Sequence, residues 1–81
     1  MIEVLIVDDH AIFRSGVSRL LSDESDLRVT GEAKNGREAI ELLRVHSYQA
    51  VLLDINMEGR SGLEVLERIR ADWPSHAVLM L

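Results

Sequence analysis

Cysteine is absent from these 81 residues, which excludes disulfides and thiolate metal sites and leaves the chain compatible with the cytosol. No apolar run approaches the ~20 residues that a membrane-crossing helix needs. The first residues lack the basic start of a signal peptide, so a cytoplasmic location with no membrane partner is expected. Internal repeats, low-complexity tracts and linkers are missing as well. Positive charge is in short supply: nine Lys and Arg stand against fourteen Asp and Glu, and the net charge of −5 makes this segment a poor ligand for nucleic acid. What is present, 47% hydrophobic and 28% charged residues, describes one small soluble globular domain.

The stretch Val51-Leu52-Leu53-Asp54 organises the chain. Apolar residues without polar alternation predict a strand buried on both faces, as in parallel sheets flanked by helices. The polar segment Ile55-Asn56-Met57-Glu58-Gly59 that follows is read as a loop. An aspartate where such a strand meets its loop stands where open α/β sheets place their ligands. The N-terminus repeats the pattern, with Val4-Leu5-Ile6-Val7 running into Asp8-Asp9.

Between and after these strands the periodicity alternates between helix and strand. Ile2 to Val7 is followed by a helix with Phe13, Val17, Leu20 and Leu21 as its apolar face, and Asp8 or Asp9 is a candidate cap for it. Leu27 to Ala33 alternates like an edge strand. Asn35-Gly36-Arg37-Glu38 resembles a capping box that opens a helix to about His46, with Ala39, Leu42 and Leu43 inward. Ser61-Gly62-Leu63-Glu64 is a second capping box and starts a helix with Val65, Leu66, Ile69 and Trp73 inward. The one proline, Pro74, stops it, and His76 to Leu81 reads as a fourth strand. The order βαβαβαβ predicts parallel strands with right-handed crossovers, the first helix on one face and the next two on the other.

If the first crossover runs one way and the second reverses, the strand order begins 2-1-3. Asp8, Asp9 and Asp54 then converge at the switch point. Three carboxylates repel one another unless a cation joins them, and an all-oxygen donor set favours Mg²⁺. His10 reads as a first-turn surface residue, and His46 and His76 as isolated ones.

At these residues the chain resembles the receiver domain of two-component response regulators, over residues 1–81. Val7-Asp8-Asp9-His10 is similar to the family's acidic pair, and Leu53-Asp54-Ile55-Asn56-Met57 with Gly59 and Gly62-Leu63-Glu64 to its phosphoacceptor segment. Arg14-Ser15-Gly16 and Leu20-Leu21 resemble the LuxR/NarL-type regulators in particular. The resemblance implies a flavodoxin-like, doubly wound sheet of order 2-1-3-4, with the fifth strand and last two helices beyond this chain. It implies that Asp54 accepts a phosphoryl group from a sensor histidine kinase, and that the domain is a regulatory phosphoprotein of bacterial signal transduction and not an enzyme. It further implies that Mg²⁺ is held by Asp8, Asp9, Asp54 and the backbone carbonyl of Asn56, Asp8 acting mostly through water. Transcription would be controlled through a C-terminal DNA-binding domain outside the chain.

Two departures from the family pattern stand out. Glu58 replaces the usual proline, and the family's hydroxyl residue and lysine would lie after Leu81. An uncovered edge at Ala77 to Leu81 leads to an expectation of homodimers. Two other readings compete. One is an interaction or dimerisation fragment without phosphorylation. The other is a Mg-dependent aspartyl-phosphate phosphatase, which would usually carry D-x-D where this chain has Asp54-Ile55-Asn56.

Overall fold

The computed structural model describes residues 2–54, 62–73 and 77–80. Four strands, β1 (Ile2–Val7), β2 (Leu27–Ala33), β3 (Ala50–Leu53) and β4 (Ala77–Met80), alternate with three helices, α1 (Ala11–Ser22), α2 (Gly36–Val45) and α3 (Gly62–Asp72). The sheet is parallel throughout, in the order β2-β1-β3-β4. The reversal of direction after the first crossover, on which the convergence of the aspartates is conditional and which the family resemblance implies, is present, and β1 and β3 are neighbours.

The apolar runs behave as two-faced strands do. Val4 to Val7 are all buried, with Leu5 and Val7 on one face of the sheet and Val4 and Ile6 on the other. The Leu5/Val7 face carries the main core, which joins Val51 and Leu53 of β3 to Ala39, Ile40 and Leu43 of α2 and to Val65 and Ile69 of α3. Helices α2 and α3 thus share a face and touch each other, as the crossover argument required. Ile40 is a core residue that the sequence reading omitted, and Leu42 and Trp73 are only partly buried against this cluster. Asn35 caps α2, its side chain accepting from the Glu38 N–H at 2.8 Å, while Glu38 Oε1 accepts from the Lys34 N–H at 3.1 Å. The box therefore closes one residue earlier than the standard reciprocal pattern.

Helix α1 departs from expectation. None of its residues is buried, and Ile12, Phe13 and Leu20 are exposed. Its least exposed residues are Arg14, Val17, Ser18 and Leu21, an i, i+3, i+4, i+7 stripe turned away from the apolar residues at 13 and 20. Of the two polar inward positions, Arg14 makes specific bonds beneath the helix. The expected cap is also corrected. The N-cap residue is His10, without a side-chain cap bond of its own, and Asp8 accepts from the His10 N–H at 2.8 Å just ahead of the helix.

The capping-box serine, Ser61, lies outside the described residues, as do Glu58, Gly59, His76, Leu81 and the side chains of Ala77, Leu79 and Met80, on which the exposed-edge expectation rests.

Candidate acidic metal and phosphoryl site

Asp8 directly follows β1 and Asp54 directly follows β3. Their strands end in register, since Val7 pairs with Leu53, so the two aspartates leave the sheet side by side. Backbone bonds carry the ladder one residue further. The Asp54 N–H donates to the Val7 carbonyl at 3.0 Å, and the Asp8 N–H to the Ala33 carbonyl at 3.0 Å. Both positions are consequently fixed by the sheet before any side chain is considered.

One ligand atom from each of Asp8, Asp9, His10 and Asp54 lies within 4.8 Å of all the others. Asp8 is buried at 2% exposure, whereas Asp9 and Asp54 are half-buried. The carboxylates predicted to converge do converge. Asn56, the remaining predicted ligand, lies outside the described residues. The donor set fits a hard divalent ion: three carboxylates at one sheet edge, one of them deeply desolvated, supply oxygen atoms and concentrated negative charge.

His10 belongs to this cluster, against its reading as an unremarkable surface residue. Its Nδ1 stands 3.1 Å from Asp8 Oδ1 and 2.8 Å from Asp9 Oδ1, although the ring remains largely exposed. The hydrogen bond to Asp8, followed by the charge of Asp9, holds the imidazolium above its ordinary range, with burial opposing and Asp54 adding to the effect. The second residue that sequence reasoning missed is Arg14. Its guanidinium donates to the Asp8 carbonyl at 2.6 Å, and Nε faces Glu32 Oε1 of β2 at 3.4 Å. A polar residue on the inward stripe of an amphipathic helix was the available signal for it. For His10 the signal was its place two residues after a strand-ending acid.

Residues 4–81 match the family model for the response regulator receiver domain. The response regulator VraR of Staphylococcus saprophyticus is 41% identical over 80 residues, which are 99% of this chain and 38% of that protein. The nitrate/nitrite response regulator NarL of Escherichia coli is 45% identical over 67 residues, 83% of this chain and 31% of its own length. The chain thus spans less than two fifths of these relatives. Among solved structures, the response regulator TrrA of Thermotoga maritima, in complex with Mg²⁺ and BeF, is 34% identical with a TM-score of 0.91, covering 99% of this chain and 68% of that one. TrrA also occurs in a complex with the histidine kinase ThkA, at 33% identity and a TM-score of 0.87, covering 99% of this chain and 67% of that one. Among the described residues no helix is long and apolar enough to cross a membrane. With the family model spanning nearly the whole chain and the acidic edge in place, this chain belongs to the receiver domains of two-component response regulators, of the NarL and VraR kind, and is regulatory and not catalytic.

Proposed function

We propose that Asp54 is the phosphoacceptor of this receiver, loaded from the phosphohistidine of a sensor kinase, with Mg²⁺ held by Asp8, Asp9, Asp54 and the backbone carbonyl of Asn56. The observation that carries this reading is the convergence of the Asp8, Asp9 and Asp54 carboxylates within 4.8 Å at the carboxyl edge of β1 and β3.

Asp54 is suited to the nucleophile's part because its backbone N–H is fixed to Val7 while its side chain stays half-exposed to an incoming phosphoryl group. A carboxylate oxygen forms the new bond to phosphorus as the phosphorus–nitrogen bond breaks. The imidazole leaves with the electron pair and takes up a proton. The resulting acyl phosphate is a mixed anhydride, reactive enough to be hydrolysed and so suited to a reversible signal. A Mg²⁺ ion held by Asp8, Asp9 and Asp54 would supply neutralisation of charge on the phosphoryl oxygens, the dominant requirement of this transfer. Asp9 is assigned direct ligation and Asp8 a role mostly through water, in keeping with the deeper burial of Asp8.

The sheet order supports reading the domain as part of a flavodoxin-like, doubly wound sheet. The complex of TrrA with ThkA supports a histidine kinase as partner. The chain spans less than two fifths of these relatives, and a longer regulator with DNA recognition in a C-terminal domain belongs to the same proposal.

Intact mass after incubation with Mg²⁺ and acetyl phosphate tests the assignment. A phosphoryl adduct on the native chain and none on Asp54→Asn is the expected result. An adduct on both, or none on a native chain that circular dichroism shows to be folded, overturns it.

A further inference from the structure

We propose that Arg14 is a positioning residue for the acidic cluster: by tying the Asp8 carbonyl to Glu32 of β2, it sets how tightly the carboxylates hold a divalent cation. The inference rests on the cation-binding reading above.

Asp8 is held at its N–H, at one carboxylate oxygen and at its carbonyl. Its N–H donates to Ala33, its carboxylate accepts from the His10 N–H, and its carbonyl accepts from Arg14 at 2.6 Å. The carbonyl of Asp8 and the N–H of Asp9 belong to one planar peptide. Holding that carbonyl therefore fixes the peptide plane from which Asp9 departs. Arg14 acts on both acids at once through their shared backbone unit, and its bond does not occupy a carboxylate oxygen.

The guanidinium also faces β2. It projects from the sheet-facing stripe of α1, its side chain is only 17% exposed, and Nε stands 3.4 Å from Glu32 Oε1 as an ion pair, without hydrogen-bond geometry. The result is a bridge from β2 to the turn after β1, made by a side chain with a planar, pre-organised fork. A lysine there would keep the charge but not the two-point geometry.

Charge and position make opposite predictions, which is what renders the inference testable. A cation beside an acidic cluster disfavours a second cation, so on charge alone removal of Arg14 tightens Mg²⁺ binding. If Arg14 positions the cluster, its removal weakens binding, on the scale of about 10-fold seen when supporting hydrogen bonds around metal ligands are lost.

The experiment is calorimetric titration of Mg²⁺ into the native chain, Arg14→Gln and Arg14→Lys, each shown to be folded by circular dichroism. The expected result is about 10-fold weaker binding by Arg14→Gln, with Arg14→Lys between it and the native chain. Binding by Arg14→Gln that is unchanged or tighter overturns the positioning role. If Arg14→Gln does not fold, Arg14→Lys decides: its charge is unaltered, so weakened binding supports the role and native affinity overturns it. A folded native chain that takes up no Mg²⁺ overturns the cation reading and this inference together, a result distinct from unchanged affinity in the variants.

Discussion

The phenol of Tyr48 closes over Gly31 so tightly that a β-carbon at residue 31 would fall on its hydroxyl, with Cζ at 2.9 Å and Cε1 at 3.0 Å. Tyr48 lies in the connection between α2 and β3, yet the strand it covers is β2, on the far side of β1. The pairing of β1 with β2 skips a residue here, from Val4 opposite Val29 to Leu5 opposite Gly31. A missing side chain on the edge strand thus makes room for a ring that is 3% exposed and part of the main core.

Gly31→Ala should therefore destabilise the fold by about 1–3 kcal/mol, the usual scale of overpacking. Among the described residues the buried Tyr48 hydroxyl has no hydrogen-bond partner. Tyr48→Phe should then be close to neutral, because it removes a desolvated polar atom with no bond to lose. In the double variant the alanine should cost less than it does alone, though not nothing, since the ring carbons remain. Urea unfolding of the four proteins gives the coupling directly. A Gly31→Ala protein as stable as the native one contradicts this packing.

The same ring supplies a pH dependence. Burial first, and the nearby charge of Glu3 second, push the Tyr48 phenol above its ordinary value of 10.0. A folded-state pKa above the unfolded one means that the unfolded chain releases its proton more readily. The contribution to stability is complete below about pH 10 and is lost as pH rises through the folded value. Tyr48 is the sole tyrosine, so phenolate absorbance reports it alone. Its appearance should lag that of a free phenol and coincide with loss of the far-ultraviolet helix signal. Glu3→Gln should shift ionisation to lower pH.

The strands and the acidic edge were legible because each rests on a short-range pattern. Uninterrupted apolar runs marked β1 and β3, alternation marked β2, and an acid at the end of two neighbouring buried strands brought Asp8 and Asp54 together. The orientation of α1 was not legible in the same way. Phe13 and Leu20 fit an apolar period, yet they lie outside the least exposed stripe, which Arg14 and Ser18 share with Val17 and Leu21. Periodicity alone does not say which polar side chain finds a bond beneath the helix. His10 was passed over for a related reason. Its contacts with Asp8 and Asp9 arise from the turn between β1 and α1, which residue type alone does not specify.

The one-sided core predicts a sharp asymmetry among apolar truncations. Leu5 and Ile69 are fully buried in the cluster shared with α2 and α3, whereas Ile12 on α1 is 90% exposed. Leu5→Ala and Ile69→Ala should each cost about 2–5 kcal/mol, a large part of the stability of a small domain. Ile12→Ala should stay within about 0.5 kcal/mol of the native chain, since alanine also favours the helix. Denaturant midpoints at constant slope provide the comparison. A loss at Ile12 equal to that at Leu5 would mean that α1 is packed in solution as tightly as α2 and α3.

With three carboxylates clustered within 4.8 Å, the proposed Mg²⁺ should also stabilise the fold. A ligand that binds the folded chain alone stabilises it by RT ln(1 + [L]/Kd), about 2.7 kcal/mol at a hundredfold excess over Kd. For a domain of this size each kcal/mol moves the melting temperature by about 4–8 °C. Saturating Mg²⁺ should therefore raise the melting temperature by roughly 10–20 °C on those scales. Without Mg²⁺, Asp54→Asn should melt higher than the native chain, because one of the mutually repelling charges is gone. With Mg²⁺ the order should reverse or close, since the variant also gives up a proposed ligand. Thermal melts of both proteins, with and without Mg²⁺ at fixed ionic strength, separate the two effects. A melting temperature that Mg²⁺ leaves unmoved in the native chain would set the cluster down as ordinary surface acidity.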